Sequence, residues 1–366
     1  MSIGRRGRIL GMLLAMAMII TMVAACNQAT PEQPPQASQP SQPAETGGEA
    51  ATGTSGQDNV WEIAVVTKDA TIPWFVRMET GVREFAANTG HNAYHVGPSA
   101  SDATLQVAII EDLIAQGVDA ICVVPVDPAT LEPVLRRAMD AGIVVVTHEA
   151  STQQNTMFNV EAFSNHDYGA YIMDNLAAAM DEWGKYVVMV GSLTEVSQNE
   201  WGDGAVARQL ERFPNMELII EDARVEILND ANVAYERAME LFLRHPDLRG
   251  IVGTSGHAVP AVARAIEELG LQGQVFTSGT GLPEQVAQFI RNGTVQSTVL
   301  WDPACAGYAM AVVAMYILDG VDITDGINLR RPGFENMRLV DGNQLHGSGW
   351  VTVTPENLEE LLAAGL

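Results

Sequence analysis

From Val60 onward, short apolar runs rich in β-branched residues alternate with longer stretches whose apolar side chains recur every three or four positions. The runs Trp61–Thr67, Asp119–Pro125, Ile143–Thr147, Tyr186–Gly191, Leu218–Asp222, Gly250–Thr254 and Gln274–Ser278 predict strands. Several are continuously apolar, the pattern of parallel strands covered by helices on both faces. Phe75, Met78, Val82, Phe85 and Ala86 mark the buried side of one helix. Ala234, Ala238, Leu241 and Phe242 mark another behind the capping pair Asn229-Asp230. Gly90, Gly117, Gly142 and Gly270 each follow a helical pattern and shortly precede a strand, where glycine supplies the left-handed turn that stops a helix. Strands and helices punctuated this way build βαβ units, so the fold class is α/β with mainly parallel sheets.

About 300 residues exceed one comfortable core, and two lobes are expected. The strand Met157–Val160 followed by Ala162-Phe163-Ser164-Asn165 reads as a crossing between them. Val299-Leu300-Trp301-Asp302-Pro303 reads as a second, with the proline opening a new helix. Ligands of open α/β sheets sit beyond the carboxyl ends of the strands, so two facing lobes enclose one cleft.

The first residues carry a different signal. Arg5, Arg6 and Arg8 precede an almost wholly apolar run from Ile9 to Ala25, a secretory signal over residues 1–25. Val23-Ala24-Ala25-Cys26 resembles the lipobox of bacterial lipoproteins, which implies cleavage before Cys26 and lipid on its thiol. An uncleaved signal anchor is the alternative. Residues 26–59 hold no large aliphatic or aromatic side chain and are expected to form a disordered tether. Without residues 1–25 the chain keeps 17 Lys+Arg against 45 Asp+Glu, a net charge of −28. Nucleic acid and anionic lipid surfaces are poor partners for such a body. Cys122 and Cys305 lie in apolar strand and helix patterns and read as buried free thiols, a disulfide being the alternative.

The candidate site residues stand at strand ends. After the first strand come Lys68, a charged donor, and the pair Trp74 and Phe75, either stacking surface for an apolar ring face or core anchors. Phe75 fits the apolar stripe of its helix, whereas Trp74 lies off it. His148 and Glu149 follow the Ile143–Thr147 strand, where an acid is costly unless paired or used; His148 also has a structural reading. In the loop from Gly191 to Trp201, Ser197 and Glu200 have capping-box spacing, leaving Gln198, Asn199 and Trp201 to reach the cleft. Thr254 and Gly256 open a small polar loop. Asp302 touches ligand or caps the helix that follows.

These loops together resemble the ribose-binding-like periplasmic proteins of ABC importers, within them the rhamnose-binding and autoinducer-2-binding branch. The resemblance rests on Val66-Thr67-Lys68 with Ile72-Pro73-Trp74-Phe75, on Asp119 to Pro128, on Gln198-Asn199-Glu200-Trp201, on His257-Ala258-Val259-Pro260 and on Leu300-Trp301-Asp302-Pro303. It implies a two-lobe type I fold with three crossings. Lobe 1 then holds residues 60–163 plus about 302–348, and lobe 2 holds 164–301 plus about 349–366, with Met337–Val340 and Trp350–Thr354 as late strands. It also implies ligand contacts from Lys68 and Gln198. Glu149 replaces an aspartate of that branch, Ser197 a second aspartate, and Thr254 and Gly256 a proline and an alanine. The pocket is therefore altered, and a pentose, a deoxyhexose or an autoinducer-2-like furanose fits the expectation.

The implied partners are an ABC permease with its ATPase, and the membrane through lipid on Cys26. The protein is then a monomer on the outer face of the cytoplasmic membrane, with no cofactor, metal or nucleic acid. A lipoprotein presenting its ligand to a membrane receptor or sensor kinase is the alternative. A nucleotide-using enzyme of this fold needs a glycine-rich turn after the first strand, and Thr67 to Phe75 contains no glycine. Nor is there a Gly-x-Ser-x-Gly elbow or a paired-cysteine motif, so the chain does not read as an enzyme.

Overall fold

The structure, a computed structural model, describes residues 59–219 and 224–366. The signal, Cys26, almost all of the tether and the end of the Leu218–Asp222 run lie outside the described residues.

The first pass of the chain is β1 (Glu62–Val66), α1 (Pro73–Thr89), β2 (Asn92–Val96), α2 (Ala103–Gln116), β3 (Ala120–Val123), α3 (Pro128–Asp140), β4 (Val144–His148) and β5 (Phe158–Glu161). The second is α4 (Asn165–Ala179), β6 (Gly184–Val190), α5 (Val196–Arg212), β7 (Met216–Leu218), β8 (Val225–Glu226), α6 (Ala231–Arg244), β9 (Leu248–Gly253), α7 (Ala258–Glu268), β10 (Phe276–Gly279), α8 (Pro283–Arg291) and β11 (Thr298–Trp301). The chain then returns through α9 (Pro303–Leu318), β12 (Arg338–Val340) and β13 (Gln344–His346), and ends with β14 (Trp350–Val353) and α10 (Leu358–Ala363).

Two sheets result, one per lobe. The first runs β12-β13-β5-β4-β3-β1-β2, parallel throughout except where β12 meets β13. The second runs β10-β9-β6-β7 with β8 also on β6, all parallel. β11 and β14 form an antiparallel ribbon, tied to the end of β10 by a bridge from Thr280 to Val299.

Both faces of each sheet are covered, which explains the continuous apolar runs. Ile63 and Val65 of β1 pack with Phe75, Met78 and Met310 of α1 and α9, while Ala64 and Val66 face Ile110 and Leu131 of α2 and α3. In β6, Val188 and Val190 share a core with Ile172 and Ala205 of α4 and α5, and Val187 and Met189 one with Leu241 and Val262 of α6 and α7. Where helices meet most closely, glycine makes room. A Cβ on Gly81 would stand 1.8 Å from the carbonyl oxygen of Ala304, and one on Gly169 would stand 2.0 Å from that of Trp201.

The chain passes three times between the sheets: after β5, through α9 on the way back to β12, and after β13 toward β14. Two of these passages lie side by side: Gly347 N–H donates to Glu161 O and Gly349 N–H to Ala162 O, both at 2.9 Å.

The sequence pattern overlooks β2, β13 and the two-residue β8. β2 is an edge strand with only Ala93 buried, and β13 has three residues, so neither presents the run of apolar positions that marks an inner strand. The run read as Leu218–Asp222 is instead β7, which stops at Leu218. Cys122 and Cys305 are both free, but Cys305 is half-buried rather than buried. Among the described residues, no helix is long and apolar enough to cross a membrane.

Gly81→Ala and Gly169→Ala should each destabilise the fold by ~1–3 kcal/mol, because helix backbones rather than flexible side chains must move. Gly270→Ala, at an open left-handed helix end, should cost less, ~1 kcal/mol. Denaturant midpoints of the three variants check the order.

Candidate ligand-binding site

The carboxyl ends of β1 and β4 in the first lobe face the start of α5 in the second. Between them lies a cavity of about 500 Å³ including its mouth, and its wall includes Lys68, Trp74, Glu149, Gln198, Trp201 and Trp301. Phe75, Asn229, Thr254, Ser255, Gly256, His257 and Thr280 complete much of the rest.

A charged triad meets at the cavity wall: Lys68 and Glu149 line it, and Glu195 lies against Lys68. Lys68 is 4% exposed, Glu149 5% and Glu195 1%, so all three have left bulk water. Lys68 Nζ donates to Glu149 Oε2 at 2.7 Å and stands 3.6 Å from Glu195 Oε2. Burial alone would lower the lysine pKa, but the two carboxylates raise it above its usual value. Burial pushes Glu149 up, yet Lys68 and His148 bring it below the usual carboxylate range. Glu195 ends above that range: its burial and the charge of Glu149 outweigh Lys68. The backbone of Glu149 is left-handed, with φ at 55°, a conformation that a residue with a side chain adopts only when its surroundings hold it.

Glu195 is the functional candidate that sequence reasoning missed. It occupies the N-cap position of α5 but makes no capping hydrogen bond. Its Oε1 accepts from Asn229 Nδ2 at 2.6 Å, and Asn229 Oδ1 accepts from Ser255 Oγ at 3.0 Å. Asn229 is itself left-handed, with φ at 50°. The capping box expected of Ser197 and Glu200 is absent, because α5 begins before Ser197 and the Glu200 carboxylate is used elsewhere. Glu200 accepts from Ser151 Oγ of the first lobe at 2.6 Å and from Asn165 Nδ2, beside the first crossing, at 2.7 Å. Ser197 Oγ is buried with no protein partner.

Aromatic rings line the other side. Trp301 meets Trp74 with ring centroids 4.7 Å apart, Phe163 at 5.1 Å and Trp201 at 5.3 Å, all near edge-to-face. Trp201 Nε1 donates to Asn165 Oδ1 at 2.8 Å, whereas the buried Trp301 Nε1 has no protein partner. Charged groups at one wall and ring faces at the other suit a small molecule with polar edges and an apolar face.

The structure thus brings Lys68, Trp74, Phe75, Glu149, Gln198, Trp201, Thr254 and Gly256 to one cavity. Gln198 meets it while accepting from Gly191 N–H at 2.7 Å. Three expected residues do not line it. His148 is buried against Val160 O at 2.5 Å, and burial lowers its pKa. Asn199 donates to Ser192 O and Glu195 O of its own turn, at 3.0 and 2.7 Å. Asp302 caps α9 through Ala304 N–H at 2.9 Å and takes a two-pronged ion pair from Arg77 at 2.9 and 2.7 Å. Asn199 and Asp302 are engaged locally, whereas His148 Nε2 is buried without a hydrogen-bond partner. Among the described residues no cluster of three or more His, Cys, Asp or Glu could hold a metal ion.

The family model for a periplasmic binding protein domain matches residues 63–322. The chain belongs to this periplasmic binding protein family. Within it, the chain is 27% identical over 259 residues to a D-allose-binding periplasmic protein of Escherichia coli, covering 67% of this chain and 81% of that one. It is 23% identical over 285 residues to a ribose import binding protein of Bacillus subtilis, covering 76% and 88%. Among solved structures, this periplasmic binding protein resembles an ABC transporter solute-binding protein of Clostridium phytofermentas with bound L-rhamnose. Their TM-score is 0.77 at 20% identity, covering 84% of this chain and 99% of that one. It also resembles LsrB of Clostridium saccharobutylicum in complex with AI-2, with a TM-score of 0.73 at 21% identity and coverage of 82% and 99%. Both likenesses establish the two-lobe α/β fold.

Removing one member of the buried pair strands the other. Lys68→Met should destabilise the protein by ~3–5 kcal/mol, and Glu149→Gln in the same chain should restore part of that loss in a double-mutant cycle. Additive denaturation free energies would show that the pair is not coupled.

A second acid sets a pH dependence. Burial, with Glu149 and Glu200 nearby, raises Glu161 to about 8 against an ordinary 4.5, opposed by donors from Asn159 and Asn165. A folded value above the unfolded one means that its contribution is complete below about 4.5 and is lost as pH rises to about 8. Glu161→Gln should therefore raise the thermal midpoint by ~2–4 °C at pH 8 and much less at pH 5. An equal shift at both values would show that Glu161 is not neutral in the fold.

Proposed function

We propose that this protein is the capture component of an ABC-type importer, exported and anchored by lipid on Cys26, closing its two lobes around a small sugar-like ligand. A pentose, a deoxyhexose or an autoinducer-2-like furanose is the ligand class. The observation that carries the reading is the cavity between the lobes, which Lys68 and Glu149 line together with Trp74, Trp201 and Trp301. Carboxylates and an ammonium serve several hydroxyl groups at once, and ring faces pack against carbon-bound hydrogens of a sugar. Residues from both lobes line the cavity, so ligand stabilises the closed arrangement that a permease can read. The names of the relatives support the class: D-allose and ribose for the curated proteins, L-rhamnose and AI-2 for the solved structures. The lipobox and the polar segment behind it support display on a tether.

The chain from Cys26 onward, screened by thermal shift against pentoses, deoxyhexoses, hexoses and autoinducer-2, should show a raised midpoint with at least one of them. Ligand at 100 times its Kd contributes ~2.7 kcal/mol, which is ~4 °C for a folded body of this size. No shift with any sugar or with autoinducer-2 at millimolar concentration would sink the functional reading. Expression of the full chain in a lipoprotein-competent host should give a processed, lipid-bearing Cys26; an unprocessed precursor would remove the anchor.

A further inference from the structure

We infer that Glu200 is a positioning residue that latches the closed lobes from outside the cavity, and that the buried acid Glu161 at the joint makes this latch release as pH rises. The inference rests on the capture role proposed above and adds what holds the closed form and what loosens it. Glu200 belongs to α5 of the second lobe and is not part of the cavity wall. Its Oε1 accepts from Ser151 Oγ of the first lobe at 2.6 Å, and its Oε2 accepts from Asn165 Nδ2 at 2.7 Å. Asn165 Oδ1 in turn accepts from Trp201 Nε1 at 2.8 Å, and Trp201 lines the cavity. One acid therefore ties the first lobe to the side chain that fixes an aromatic wall of the site.

On the first-lobe side the network continues to Glu161. Gln344 Nε2 donates to Ser151 O at 3.4 Å, and Gln344 Oε1 accepts from Asn159 Nδ2 at 2.8 Å. Asn159 Nδ2 also donates to Glu161 Oε1 at 2.8 Å, while its Oδ1 accepts from Ala150 N–H at 3.2 Å, one residue beyond the left-handed Glu149. Glu161 ends β5 just before the first crossing and is 1% exposed. Glu149 and His148 stand near it at the end of β4, and Asn165 and Glu200 come from α4 and α5. On β13 its register partner is His346, with Arg338 of β12 next in the row. Burial, with the charges of Glu149 and Glu200, raises the Glu161 pKa to about 8 against the Asn159 and Asn165 donors. Parting the lobes withdraws Glu200, replaces Asn165 by water and lets the carboxyl ionise more readily. A pKa higher in the closed form than in the open one favours closure while Glu161 is protonated, and that support is lost as pH rises through about 8. Above it, two carboxylates from opposite lobes repel in a gap that screens them less than water does. Glu195 is a second acid raised by burial, so the test must tell the two apart.

The test follows release of the sugar that gives the largest thermal shift in the screen above, by stopped-flow tryptophan fluorescence at about pH 6.5 and about pH 9, on either side of the Glu161 titration. Trp74, Trp201 and Trp301 in the cavity wall report it. Wild type should release the sugar about 10-fold faster at the higher pH. Glu161→Gln cannot ionise and should release it slowly at both. Glu200→Gln offers one acceptor where the carboxylate offers two, so it should release about 10-fold faster than wild type at the lower pH and lose most of the pH effect. Ser151→Ala, on a partly exposed loop outside the cavity, should also release faster at the lower pH. A wild-type rate equal at the two pH values, a Glu200→Gln rate equal to wild type, or a pH effect that Glu161→Gln retains in full would each overturn the inference; the last would assign the titration to Glu195. Circular dichroism of each variant separates loss of fold from loss of the latch, and Ser151→Ala decides the question where a variant of either acid does not fold. Absence of binding by any sugar at either pH would instead overturn the functional reading, an outcome distinct from binding whose release ignores Glu200.

Discussion

The cleft depends on one buried ammonium. Lys68 stands at the carboxyl end of β1, and its charge is compensated by Glu149 from the end of β4 and by Glu195 from the start of α5. A buried ion pair is a poor source of net stability, since desolvation consumes much of its Coulomb attraction. Apolar residues of similar volume would hold these strand ends together as well. That the fold tolerates three charged groups there, and holds Glu149 in a left-handed backbone at φ 55°, marks the position as one shaped by something other than folding.

Around that triad the two lobes are arranged so that short local bonds do most of the positioning. β4 delivers Glu149 because its run of five buried residues is fixed between β3 and β5. Asn229 sets Glu195, and Ser255 sets Asn229. Trp301, at the end of β11, is the point where rings from α1, α5 and the first crossing meet, so the aromatic wall is continuous with the packing of the joint between lobes. A change in the joint is therefore felt at the cavity wall without passing through solvent.

Much of the fold is legible in the sequence because its strands are buried on both faces: runs such as Ile143–Thr147 have no reading other than inner parallel strands. The glycines at 90, 117, 142 and 270 mark helix ends without tertiary information, each with positive φ. For the site, the rule that ligands lie beyond strand ends finds Lys68, Glu149, Thr254 and Gly256, because chain order alone places them there. It also nominates His148, Asn199 and Asp302, which turn instead to Val160 O, to backbone of the α5 start, and to Arg77 and the start of α9. Local sequence cannot separate a polar group that faces the cleft from one that turns back on its own element. Glu195 fails to register for the converse reason. Its neighbours Ser197 and Glu200 have capping spacing, and only the tertiary contacts with Lys68 and Asn229 reveal that Glu195 has taken the N-cap position without capping. Asn229, read as half of a capping pair, is missed in the same way: Asp230 caps α6 and Asn229 serves the cleft.

The pairing pattern also explains how a charged cleft can open. Lys68 and Glu149 belong to one lobe, and Glu195 and Asn229 to the other, so each buried charge keeps its shortest bond, 2.7 and 2.6 Å, when the lobes part. What separates is the 3.6 Å contact between Lys68 and Glu195, together with the Ser151–Glu200 bond, and Glu200 retains Asn165 beside the first crossing. A cleft whose ion pair ran wholly across the gap would strand two charges on opening and would resist it by several kcal/mol. Here the crossing contact of the triad is its longest, at 3.6 Å, while the Ser151–Glu200 bond at 2.6 Å is the one short hydrogen bond among these that must break. Under the capture role proposed above, a ligand that reaches Lys68 and Glu149 adds to closure without first having to break their pair.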